Sequence, residues 1–97
     1  MSIGGQYMKG KTSSGFAFSV DDDARDDYDL MLAFMKLQNG DPMVLDEAVE
    51  LLLGKEQKEK LREHCRSKTG RVLATRVIKE VEEIVSIIGK SESDVKN

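Results

Sequence analysis

Residues 5–12, Gly5-Gln6-Tyr7-Met8-Lys9-Gly10-Lys11-Thr12, match the phosphate-binding loop pattern letter for letter. Such a loop works because backbone N–H groups wrap a phosphate between a buried strand and the start of a helix. Only Met1 to Gly4 precede the match, too few for a core strand, and the residues after it alternate like a strand. The match is read as a compositional accident. Asp21, Asp22, Asp23, Asp26, Asp27 and Asp29 invite a calcium reading in the same way. An EF-hand loop needs acidic or amide ligands at its first, third and fifth positions and glycine at its sixth. Counted from Asp21, the fifth position is Arg25 and the sixth Asp26, so the frame fails. Acidic residues ahead of and inside a first helical turn, facing the positive end of the dipole, explain the run better.

His64 and Cys65 are sequence neighbours, and adjacent helical residues do not face each other, so they form no nucleophile–base pair. The chain has one cysteine and one histidine. Cys65 therefore has no internal disulfide, metal or redox mate, and reads as a small buried apolar residue with His64 at the surface. Glu82 and Glu83 fall on an outer helical surface. No nucleophile, base and orienting group come together. The chain reads as a non-enzyme, with catalytic residues, metal and cofactor all expected to be none.

Lys55, Lys58, Lys60, Arg62, Arg66, Lys68 and Arg71 raise nucleic-acid binding, and a break at Gly54 between two helices imitates a helix-turn-helix. Yet Glu56, Glu59 and Glu63 interleave with these cations and no aromatic lies among them. The sequence pI is about 5.2. A small DNA-binding regulator using residues 55–71 stays as an alternative.

The elements that must position these residues can be read from period and punctuation. Residues 1–13 are rich in glycine, lysine and serine and read as a flexible leader. Phe16, Phe18 and Val20 alternate with Ala17 and Ser19, which predicts one short strand. It pairs within the chain only if residues 1–12 supply a second strand. Otherwise it offers an edge for self-association with a neighbouring copy.

Helix one runs from the aspartates to about Gln38, where Asn39-Gly40 closes it. Asp41 caps helix two with Pro42 at its first position, and Gly54 ends it after Leu53. Helix three spans Lys55 to about Ser67, with Leu61 and Cys65 four apart. Helix four carries Val77, Val81, Ile84, Val85 and Ile88 and is expected to stop at Gly89, leaving residues 90–97 as a flexible tail. The predicted fold is mainly α, about four helices in a small bundle after a short strand or hairpin, with residues 14–89 as one helical domain.

Leu45, Ala48, Val49 and Leu52 form one stripe, as do Val77, Val81, Ile84 and Ile88; both are core. Helix one is apolar on two sides, with Leu30, Phe34 and Leu37 facing one way and Tyr28, Leu32 and Met35 the other. Met43, Leu51 and Ile87 also fall off their main stripes. The surplus is either core wrapped around a central helix one or a surface for a partner helix. In the second case Tyr28, Leu32, Met35, Met43 and Leu51 are the partner-binding residues, with methionine suiting a variable target.

At 97 residues the chain is one domain with a small core, for which a partner or self-association adds stability. Residues 1–54 carry 4 basic and 10 acidic residues, net −6, while residues 55–80 carry 9 and 4, net +5. The split favours head-to-tail association or a charged partner, or it is a solvated helix surface. The longest apolar run, Leu30 to Met35, is far short of the roughly 20 residues of a membrane span. No signal peptide is legible, which places the chain in a reducing cytoplasm.

Taken in order, a set of short segments carries a resemblance. Ser14-Gly15-Phe16-Ala17-Phe18 opens the strand, Asp27-Tyr28-Asp29-Leu30 starts the first helix, and Gly40-Asp41-Pro42 starts the second. Then come Val49-Glu50-Leu51-Leu52-Leu53-Gly54-Lys55-Glu56-Gln57, Leu61-Arg62-Glu63-His64, Gly70-Arg71-Val72, Glu80-Val81-Glu82-Glu83-Ile84 and a Lys96-Asn97 ending. Each is common alone; the ordered set, over roughly residues 11 to 97, resembles the tail assembly chaperones of long-tailed bacteriophages of low-GC Gram-positive bacteria. The Met1 to Gly10 leader is longer than that family's usual starts.

The resemblance implies a mainly helical fold with a small β element and a non-catalytic activity in the host bacterial cytoplasm. That activity is to bind and solubilise the long helical tape-measure protein and to promote polymerisation of the tail-tube protein around it. It implies a homo-oligomer, often made in two lengths by ribosomal frameshifting, and no catalytic residue to carry over. A structural subunit of a phage particle is the remaining alternative.

Overall fold

A computed structural model describes residues 7–96, and side chains as far as residue 89. Its first element overturns part of the expected leader 1–13. Tyr7–Lys11 is a strand, β1, paired antiparallel with β2, Ala17–Asp21, with Met8 opposite Val20 and Gly10 opposite Phe18. The leader's residues 1–6 lie outside the described residues. The turn between the strands is closed by Thr12 N–H donating to the Phe16 carbonyl at 3.0 Å and Gly15 N–H to the Thr12 carbonyl at 2.9 Å.

Gly10 has a packing reason to be glycine. A Cβ placed there would meet the Phe18 ring at 2.8 Å, so the ring lies over the bare backbone of its cross-strand partner. The period-two reading of β2 holds: Phe16, Phe18 and Val20 are all buried. Expected at a self-association edge, they are core residues of their own chain. The other edge of β2 is also occupied, because the Gln57 amide accepts from Ser19 N–H at 2.8 Å and donates to the Ser19 carbonyl at 2.7 Å.

A turn of 3-10 helix, Asp22–Asp26, leads to α1, Tyr28–Gln38. The Asp27 carboxylate caps α1 by accepting from Leu30 N–H at 3.1 Å, the role its place in the acidic run suggests. Helix one is not a central element wrapped on all sides. Leu30 and Ala33 are buried with Phe34 packed beside them, while Tyr28, Met31, Leu32 and Met35 are exposed.

Asp41 accepts from Met43 N–H at 3.0 Å, and Pro42 opens a second 3-10 turn, Pro42–Val44, that runs into α2, Leu45–His64. Gly54, at φ 84° and ψ 166°, breaks α2 into limbs 45–53 and 55–64, so four helical rods come after the hairpin, as expected. The limbs turn back on each other. Lys58 Nζ reaches Asp46 at 2.8 Å and Glu50 at 3.0 Å, although a straight helix would set residues 46 and 58 about 18 Å apart.

Cys65 caps the second limb, a bridge pairs Arg66 with Val72, and α3 runs Ala74–Lys96. The expected stop at Gly89 and tail 90–97 are corrected: α3 continues through Gly89 to Lys96, and Asn97 lies outside the described residues. Gly89 lacks the positive φ of Gly15, Gly40, Gly54 and Gly70. A glycine with helical φ costs a helix about 1 kcal/mol relative to alanine without ending it.

The core joins all of these elements. Val20 from β2, Leu61 and Cys65 from the end of α2, and Ile84 from α3 are the largest of its fully enclosed side chains. Burying each large aliphatic side chain contributes about 1.5–3 kcal/mol.

The φ and ψ of Gly54 belong to a region that residues with a Cβ essentially never occupy, which costs about 1–3 kcal/mol. Gly54→Ala is therefore expected to destabilise the chain by about that amount in denaturant unfolding. An unchanged midpoint would mean that the two limbs can join as one helix without loss.

Candidate functional site

An open groove of about 740 Å³ has α1 and α3 as its walls. Both helices rest against α2, and Leu52 of α2 lies at the floor between them with Leu30, Val81 and Ile88. Met31, Phe34 and Met35 line one wall, and Ile78 and Val85 the other. Met31 is 53% exposed and Met35 52%, so the wall of α1 is thioether surface open to solvent.

The expected partner-binding residues fall in four places. Met35 lines the groove. Tyr28 and Leu32, 67% and 37% exposed, do not line it and form a strip around the outside of α1. Met43 borders a second groove of about 650 Å³, beside Leu45, Val49 and Val72, with Lys58, Arg62, Arg66 and Arg71 at its rim. Leu51 is partly buried against the core. Met31, Phe34, Ile78 and Val85 were not among the expected contact residues. The placement of Met31 one turn before Met35 was the signal for the first of them.

The cations at the second groove are largely engaged within the chain. Lys58 bridges Asp46 and Glu50, and these two carboxylates raise its pKa. Arg66 binds Glu63 at 2.6 Å, which lowers the Glu63 pKa and raises that of Arg66, while its Nη1 donates to the Gly70 carbonyl. Arg62 lies 3.8 Å from Glu59.

A polar cluster pins the hairpin turn onto α3. Glu80, buried at 5% exposure, accepts from Thr12 Oγ1 at 2.7 Å and from Ser14 Oγ at 2.6 Å. Glu83 accepts from Ser13 N–H at 2.7 Å. Ser14 Oγ is also 2.9 Å from His64 Nε2, a serine–histidine contact that sequence spacing did not reveal. With the serine hydroxyl donating to Glu80, the contact is completed by an imidazole whose Nε2–H donates to Ser14 Oγ.

Cys65 is fully buried, and burial first, with the Glu80 charge second, raises its thiol pKa. Residues 7–11 of the loop-like motif are extended strand, which cannot wrap a phosphate. Among the described residues no three His, Cys, Asp or Glu side chains converge on a metal position, and no helix is long and apolar enough to cross a membrane.

Removing the Glu80 carboxylate leaves the Thr12 and Ser14 hydroxyls without their acceptor. Glu80→Ala is expected to cost about 1–3 kcal/mol in denaturant unfolding, and Glu80→Gln, which keeps one acceptor oxygen, less. Equal losses for the two would show that packing, not hydrogen bonding, holds the turn.

Compared with protein-family models, curated proteins and solved structures, the chain finds no match in any of the three.

Proposed function

We propose that this chain is a non-catalytic chaperone for a long amphipathic helix, a phage tail assembly chaperone that holds the tape-measure protein in the host cytoplasm. On this reading the tail-tube protein polymerises around the delivered helix, and several copies of the chaperone act along one partner. The observation that carries the proposal is the methionine-lined groove between α1 and α3. An amphipathic helix binds by laying its apolar face into such a groove, with anchor residues one turn apart. Met31 and Met35 suit it because unbranched, polarizable side chains adapt to whichever apolar residue arrives. A chaperone that meets many segments of one long helix needs that tolerance, and repeated weak contacts along it add up through effective concentration.

The alternatives draw less support. A regulator reading DNA through residues 55–71 has Lys58, Arg62 and Arg66 paired with carboxylates of its own chain. A structural subunit differs from a chaperone in staying with the finished particle.

Co-expression with a tape-measure protein, followed by size-exclusion chromatography with light scattering, is the direct test. The expected result is a soluble co-eluting complex with a partner that is insoluble alone; a partner left insoluble beside the free chain would sink the proposal. The double variant Met31→Glu/Met35→Glu is expected to keep its helical circular dichroism and lose at least tenfold in partner affinity. Leu32→Glu on the outer strip should lose less. The reverse order would move the contact from the groove to the strip of Tyr28 and Leu32.

A further inference from the structure

We infer that the helix accepted by the α1/α3 groove is cationic, with lysine or arginine flanking its apolar face. This rests on the helix-binding reading and adds the chemical class of the partner. The ionisable residues lining the groove are Arg25, Asp27 and Glu82. Arg25 is already paired with Asp22 at 3.0 Å, so its charge is compensated within the rim. Asp27 accepts a backbone N–H as the cap of α1, a bond made by its carboxylate. Asp23, Asp26 and Asp29 are exposed on the 3-10 turn and first helical turn that lead into the same wall, and Glu82 is exposed on the other. The groove's own carboxylates are thus Asp27 on one wall and Glu82 on the facing wall, while Asp23 and Asp26 add negative charge in the turn that leads into α1 without lining the groove.

The contrast with the second groove sharpens the point. There Lys58, Arg62, Arg66 and Arg71 line the site against the single carboxylate of Asp46. Lys58, Arg62 and Arg66 of that groove are paired with carboxylates of their own chain, whereas in the groove walled by α1 and α3 the cation is the paired residue and Glu82 stands without an ion pair among the described residues. Long lysine and arginine stems can lie along the apolar walls of the α1/α3 groove while their charged ends reach the rim. Exposed ion pairs of this kind contribute little affinity each, so their effect is choice of partner, rejection of acidic helices and faster encounter.

The test uses the full chain and three fluorescently labelled helical peptides of about 20 residues, sharing one apolar face spaced for a helix groove. Their polar faces carry lysine, glutamine or glutamate. Anisotropy titration is expected to rank them lysine, glutamine, glutamate, with at least a tenfold gap between the first and last at low salt. That gap should shrink several-fold when ionic strength rises from about 0.05 M to about 0.5 M, as exposed charges are screened. Glu82→Gln combined with Asp23→Asn should narrow it as well, while leaving the glutamine peptide unaffected.

Equal or tighter binding of the glutamate peptide would overturn the charge inference and leave the groove reading intact. Binding of the lysine peptide that survives Met31→Asn/Met35→Asn, which removes the apolar wall without adding charge, would also overturn it, since the cationic helix would then be held elsewhere. Failure of all three peptides to bind would overturn the helix-binding reading itself.

Discussion

At Gly54 the chain takes a backbone conformation open to glycine and to almost nothing else, and the helix begun at Leu45 cannot continue straight. Most of the fold depends on that corner. Because the second limb turns back, Lys58 reaches Asp46 and Glu50, and Gln57 reaches the edge of β2. Gln57 also donates to the Leu53 carbonyl at 2.8 Å, one of the groups the break leaves without a helical partner. One side chain therefore repairs the helix end and closes the sheet edge. A two-stranded hairpin is marginal alone. Here it is held by the corner on one side and by Glu80 on the other.

Glu80 is the polar counterpart of the corner. A buried carboxylate is costly unless its oxygens are satisfied, and both oxygens of Glu80 accept from hydroxyls of the hairpin turn. Thr12 is in turn fixed by Phe16 N–H, which donates to its hydroxyl at 3.1 Å, and Phe16 stacks at a tilt on His64, ring centroids 5.4 Å apart. The turn, the end of α2 and the face of α3 are thereby tied together on one side of the molecule. The α1/α3 groove opens where no such polar tie exists among the described residues.

The features legible in the sequence were short in range. Alternation at Phe16, Phe18 and Val20 marked β2, Asp27 and Asp41-Pro42 marked helix starts, and Gly54 marked a break, since each depends on a few neighbouring residues. β1 was less legible because Tyr7-Met8-Lys9-Gly10-Lys11 has little apolar alternation; its extended form comes from pairing with β2 and from the Phe18 ring over Gly10. Gly89 misled because glycine ends a helix only where the backbone turns to positive φ, and glycine permits that turn without requiring it. The groove was legible only in part. Met35 stood off the core stripe, but nothing local says that Ile78 and Val85 lie across from it. That depends on how two helices lean on α2.

The separation of charge along the sequence survives folding, and this bears on why apolar surface can remain open. Residues 1–54 are net acidic and residues 55–80 net basic, yet among the described residues only Lys58 forms an ion pair between the two segments. The other ion pairs, Arg25–Asp22, Arg62–Glu59 and Arg66–Glu63, are local, three residues apart. Local pairing leaves each segment with its own sign. A groove that kept Met31 and Met35 exposed without charge nearby would be an open invitation to self-burial between identical copies. Carboxylates around it change that balance, because bringing two acid-rimmed grooves face to face sets like charges together. The same rim that disfavours this symmetric contact leaves the groove available to a helix of the other sign.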